Sequence, residues 1–326
     1  MFRTIKWLSV VSTIGMFFIL LGGALVTKTD SGAGCGSSWP LCNGQLFPNV
    51  ITPELIIEYS HRLVSSIIGV TVLLLAVFAW NHLGHIREVK FLSFISVFFL
   101  VLQGLIGAAA VVWGQSDFVL AIHFGISLVS FASIFLLMLL IFEIDNKLDA
   151  DKLHIKKKDR IEIYLLSTYT IIVVYTGALV RHINANLVCG SWPFCNNGAP
   201  FAFADYNFHQ WVQMGHRLLA AILFIWTLTF LIKVHKNYRN NRVMYYGWVI
   251  SFSLILLQVL FGAMIIFTEL NLWIALFHAF FITCYFGMLS YFMLLSNRSA
   301  HQEQKVNVKQ TNKNILHMKQ NAKNEA

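Results

Sequence analysis

The chain has 326 residues, 57% hydrophobic and only 12% charged, with 28 Phe, 9 Trp and 5 Pro, and a mean hydropathy of +0.66. A soluble globule of this length cannot hide so much apolar surface, and five cysteines are too sparse for a disulfide-dense secreted scaffold, so the composition describes a polytopic membrane protein. The net charge of +9 admits nucleic acid, anionic lipid or membrane topology, and its distribution along the chain has to separate them.

Eight apolar stretches reach the roughly 20 residues that cross a bilayer core: 7–27, 60–80, 91–113, 118–141, 161–181, 210–232, 244–267 and 270–295. None alternates with the period of a barrel strand, so the fold class is all-α, with eight transmembrane helices. Arg3 and Lys6 precede the first stretch, but no small-residue cleavage site follows it; it reads as a true span rather than a signal peptide. Basic residues then sort by side. Arg3 and Lys6, Arg87 and Lys90, six from Lys147 to Arg160, four from Lys233 to Arg242 and six from Arg298 to Lys323 account for 20 of the 24. By the positive-inside rule this places both termini in the cytoplasm, in a multi-pass protein of the cell membrane. The exceptions are Lys28, Arg62, Arg181 and Arg217. No aromatic residues interleave the charge runs on a folded domain, so nucleic acid is not an expected partner; the lipid bilayer is.

A shift of about 154 residues maps the chain onto itself. Gly23-Ala24-Leu25-Val26 returns as Gly177-Ala178-Leu179-Val180, CGSSWPLCN at 35–43 as CGSWPFCN at 189–196, and His61-Arg62-Leu63 as His216-Arg217-Leu218. Gln103, Gly107, Ala108 and His123 return as Gln258, Gly262, Ala263 and His278. The expectation is two tandem, pseudo-symmetric four-helix bundles, 1–142 and 161–295, with a charged cytoplasmic linker at 143–160 and a polar, disordered tail at 296–326. An even number of spans per repeat gives both halves one orientation, unlike an inverted-repeat transporter.

Four of the twelve histidines recur in matching places: His61 to His123 and His216 to His278 are both 62 residues apart. Each lies one to two turns inside a span that starts on the extracytoplasmic side, where a ligand-capable side chain is costly without a purpose. Two imidazoles from separate helices suit the axial positions of a haem iron; zinc asks for three or four ligands. The other eight histidines read as loop or tail residues, with His209 near the rim. Arg62 and Arg217 follow the span-opening histidines and suit either haem propionates or lipid phosphates. Cys35 with Cys42, and Cys189 with Cys195, lie in outer loops on the oxidising side and read as two intraloop disulfides, while Cys284 is a packing residue.

One difference separates the halves. Glu58, three residues before His61, becomes Gln213 before His216. A carboxylate one turn from a haem ligand can take a proton or stabilise a cationic intermediate, and an amide cannot; a carboxylate at a helix start also suits the helix dipole.

With eight spans, the doubled HRL histidines, the paired Cys loops and Glu58, the sequence resembles the heme A synthase family of the Gram-positive bacterial type. The resemblance covers 1–295. It implies an oxidoreductase that converts the C8 methyl of haem O to a formyl group, giving haem A for terminal oxidases. It also implies haem O ligated by His61 and His123, a resident haem b ligated by His216 and His278, Glu58 as catalytic acid/base, and a haem O synthase as supplier. The electron acceptor is unknown. The alternative from the residues is a dihaem b-type cytochrome exchanging electrons with the quinone pool, which gives Glu58 no task.

Overall fold

The computed structural model describes residues 2–324 except 47, 50, 115, 144–152 and 201. Its regular structure is helical: α1 (Phe2–Lys28), α2 (Pro53–Leu83), α3 (Arg87–Trp113), α4 (Asp117–Ile141), α5 (Lys157–His182), α6 (Phe208–Tyr238), α7 (Arg242–Phe267) and α8 (Leu272–Asn324), with 3-10 turns at Ser31–Ala33 and Phe203–Asp205. All eight helices are long and apolar enough to cross a membrane.

The helices outrun their apolar stretches, because capping chemistry rather than hydropathy sets their ends. Thr52 accepts a hydrogen bond from the Leu55 amide at 3.2 Å with Pro53 at the first helical position, so α2 begins early enough to include Glu58. Asn207 and Gln210 form a reciprocal capping box that starts α6 ahead of Gln213. His82, His182, His209 and His235, expected in loops, also lie on helices.

Neighbours within the first half are α1–α2, α2–α3, α3–α4 and α1–α4; those of the second are α5–α6, α6–α7, α7–α8 and α5–α8. Across the halves α4 meets α5 and α8, and α1 meets α8. Thus α1, α4, α5 and α8 make the centre. The burial follows: 67% of the apolar window of α4 is enclosed, against 22% for α2, α3 and α6. Outward faces carry Trp7, Phe18, Phe91, Phe94 and Trp113, all exposed, as lipid-facing surfaces require.

At the end opposite the cysteine loops, side chains tie α5, α6 and α8 of the second half together. Asp159, buried, pairs with Lys233 at 2.5 Å and accepts from the Tyr238 hydroxyl at 2.6 Å. Arg160 pairs with Glu303 at 2.6 Å, and the Ile155 amide donates to Ser299 Oγ at 2.8 Å. These contacts revise two expectations. The stretch read as linker is folded from Leu153 onward, with Leu153 and Ile155 buried and α5 starting at Lys157; Lys147 and Lys152 lie outside the described residues. The tail expected to be disordered continues α8 to Asn324. It contains no Gly or Pro to stop a helix, and Ser299 and Glu303 dock its first turns.

Candidate functional site

A cavity of about 970 Å³ lies toward the cysteine-loop end and is lined from both halves by His61, His123, His216, His278, Glu58 and Gln213. His61 and His216 each sit eight residues into their helix, and His123 and His278 each six residues in. Within each half the two imidazoles line the same cavity from separate helices. The structure therefore brings together the pairs expected from the sequence, all half-buried.

Glycines on the neighbouring helices make room for the rings. A Cβ on Gly22 would lie 3.0 Å from His61 Nδ1, one on Gly107 3.2 Å from His123 Cε1, one on Gly177 2.9 Å from His216 Cε1, and one on Gly262 3.1 Å from His278 Cε1. These glycines are thus the floor on which each ring rests. Gly107 and Gly262 recur in the repeat, as do Gly177 and Gly23, whose Cβ would stand 3.5 Å from His61 Cε1; Gly22 has no glycine counterpart, and the task of all of them depends on which helix lies alongside.

The second pair is held by hydrogen bonds. Thr176 donates its hydroxyl hydrogen to the Val173 carbonyl at 2.8 Å, so the Thr176 oxygen 2.9 Å from His216 Nδ1 acts as acceptor. His278 Nδ1 lies 3.0 Å from the Gln258 carbonyl, which can only accept. These neighbours suit a proton on Nδ1 of both rings, with the Nε2 lone pair facing a ligand; at His278 the Gln258 amide nitrogen sits 3.0 Å from Nε2. In the first half His123 lies beside the backbone of Gln103, the counterpart of Gln258.

Glu58 and Gln213 occupy equivalent places with different chemistry. Glu58 Oε2 accepts from the Cys35 amide at 2.7 Å, and Oε1 forms an ion pair with Arg62. Gln213 Oε1 accepts from the Cys189 amide at 2.9 Å, and its Nε2 donates to the Asn186 carbonyl at 2.6 Å. Both side chains are buried and both clasp the first cysteine of the loop above them. Only the first half has an anion there.

The sulfurs of Cys35 and Cys42, and of Cys189 and Cys195, lie at disulfide-bonding separation. Cys284 is free and half-buried. Arg62 donates to the Ser38 and Leu41 carbonyls at 2.8 and 2.9 Å. Arg217 donates to those of Ser191, Pro193 and Phe194 at 2.7, 3.2 and 3.2 Å. Each guanidinium thereby spans loop and helix, a clamping role that sequence reasoning missed because the partners are backbone atoms more than 20 residues away. Two further cations line the cavity: Lys28, and Arg181, which donates to the Thr27 carbonyl across the halves at 2.6 Å. His182, expected in a loop, ends α5 and lines the cavity too. His209 is exposed against Phe208 and stands apart from the cavity lining.

Among the described residues no group of three or more His, Cys, Asp and Glu converges as a metal site. Two nitrogen donors per half, beside an apolar cavity, fit a haem, whose macrocycle supplies the remaining iron ligands, better than zinc.

The fold and site define a polytopic helical membrane protein with two matched histidine pairs facing one cavity. The cytochrome oxidase assembly protein family, COX15-CtaA, matches residues 6–290, and the chain belongs to that family. It is 59% identical over 297 residues to a protein of Geobacillus kaustophilus (strain HTA426) named Heme A synthase, covering 91% of this chain and 93% of the relative. A second Heme A synthase, from Oceanobacillus iheyensis (strain DSM 14371 / CIP 107618 / JCM 11309 / KCTC 3954 / HTE831), is 59% identical over 303 residues, 93% of this chain and 98% of the relative. A third, from Lysinibacillus sphaericus (strain C3-41), is 53% identical over 301 residues, 92% of this chain and 98% of the relative.

Proposed function

We propose that this protein is a haem A synthase, an oxidoreductase that takes haem O as substrate between His61 and His123 and converts its C8 methyl group to a formyl group. His216 and His278 would hold a resident haem b, which when bound supplies one-electron transfer. The observation that carries this reading is the exchange of Glu58 for Gln213 at two otherwise matching places on one cavity. The names of the relatives support it.

With water supplying the oxygen atom, methyl-to-formyl conversion passes four electrons to an external acceptor and releases four protons near the reacting carbon. Glu58 is built to receive them: the Cys35 amide and Arg62 hold its carboxylate in place, and a buried anion stabilises positive charge developing at the adjacent carbon far better than it would in water. Gln213 in the same setting can do neither. Arg62, Arg217, Lys28 and Arg181 would meet the propionates at the cavity mouth. The two cysteine pairs would be disulfides that keep each loop rigid above its site. The distribution of basic residues puts both termini in the cytoplasm and both sites near the extracytoplasmic face. A pure electron carrier would give the Glu58–Gln213 difference no work.

The test is to express the protein with a source of haem O and extract the pigments. Haem A is expected, and haem O alone would contradict the proposal. His216→Ala and His278→Ala should each remove haem b, and normal haem b in both would overturn the assignment of the second site.

A further inference from the structure

The two sites differ in a second respect, and it concerns retention rather than reaction. Gly23-Ala24-Leu25-Val26 matches Gly177-Ala178-Leu179-Val180, so the residue before each run makes a pair: Gly22 in the first half and Thr176 in the second. Thr176 faces His216 Nδ1 at 2.9 Å, and with its own hydrogen committed to Val173 it can only accept. His216 is thereby held in one tautomer and one ring orientation, with Nε2 as its free donor. At Gly22 there is no side chain to do this. His61 has moved into the space instead, its Nδ1 only 3.0 Å from where a Cβ would stand, so a threonine at 22 would displace the ring. The partner histidines differ less: His278 Nδ1 lies 3.0 Å from the Gln258 carbonyl, and His123 lies beside the backbone of the matching Gln103.

We infer that Thr176 is a positioning residue that makes the second site retentive, and that Gly22 withholds the same anchor from the first site and leaves it exchangeable. A hydrogen bond to the remote nitrogen fixes a ligating imidazole and raises its basicity; losing one typically weakens metal binding about 10- to 100-fold. A cofactor that stays and a substrate that must leave as product need opposite settings of this contact. The inference rests on the proposal that His216 and His278 hold haem b, and it adds which residue keeps it there.

The experiment uses the full-length purified protein with haem b bound and apomyoglobin in excess as haem acceptor. Thr176→Val, close to isosteric, should release haem about 10- to 100-fold faster than wild type and raise its midpoint potential, since a less basic ligand favours the reduced iron. Thr176→Ser keeps the hydroxyl and should stay within a few-fold of wild type on both measures. Titration with haemin should refill Thr176→Val to the wild-type stoichiometry, which shows an intact fold. In the wild-type protein, haem loaded at the first site should leave faster than haem at the second. A Thr176→Val protein with wild-type release and potential would overturn the inference, as would a Thr176→Ser protein as leaky as Thr176→Val, or equal release from the two sites. If His216→Ala retained haem b, the assignment of the site itself would fall, a separate result from Thr176→Val behaving as wild type while His216→Ala is empty.

Discussion

Replacing Gly177 by alanine adds one methyl group beneath His216. The new Cβ would stand 2.9 Å from Cε1 and 3.3 Å from Nε2, whereas ordinary contact begins at 3.4 Å. The ring must retreat by about half an ångström, and it cannot do so freely, because Thr176 holds Nδ1. Overpacking of this kind costs about 1–3 kcal/mol. Charged to the haem-bound geometry, that is a roughly 5- to 150-fold loss of haem b affinity, at tenfold for each 1.4 kcal/mol. Gly104→Ala is the control: Gly104 lines the same cavity, but a Cβ there meets nothing within 4 Å. Haemin titration followed by the low-spin absorbance bands measures both variants. Gly177→Ala binding as tightly as wild type, or Gly104→Ala losing as much, would refute the glycine-floor account.

Two further outcomes are expected. Alkylation of the folded protein should leave Cys35, Cys42, Cys189 and Cys195 unlabelled until a reductant is added, with mass spectrometry as readout; a disulfide closing so short a loop contributes about 2–3 kcal/mol, so Cys35→Ser should also lower thermal stability. Asp159→Asn keeps the Tyr238 contact but removes the anion facing Lys233, at a cost of about 1.5–3 kcal/mol; thermal unfolding in detergent should show the loss, with haemin binding at the histidine pairs, at the other end of the helices, unchanged.

What the sequence made legible was periodic or repeated. Eight apolar runs became eight helices, and the 62-residue spacing of the histidine pairs became two pairs on one cavity. Helix ends were less legible, since the start of α2 depends on Thr52 and Pro53, which hydropathy does not register. The helical tail was missed because a polar composition was read as disorder, although it lacks helix breakers. Long-range polar contacts were invisible. Glu58 and Gln213 looked like a bare carboxylate and a bare amide, and only the folded loops reveal that both clasp a cysteine amide. Arg62 and Arg217, read as cations for propionate or lipid, each turn Nη1 to loop carbonyls. In each case the sequence carried the residue type, while the partner was a backbone atom that no side-chain pattern encodes.

The shared clasp sharpens the central claim, because it separates what Glu58 does for the loop from what only its charge can do. Gln213 demonstrates that an amide can hold the cysteine amide, so Glu58→Gln should preserve the loop and the cavity while removing the anion. The decisive measurement is the pigment content of Glu58→Gln expressed with a source of haem O. The account predicts haem b at the wild-type level, haem O bound and no haem A; haem A formed as fast as in the wild type would contradict it.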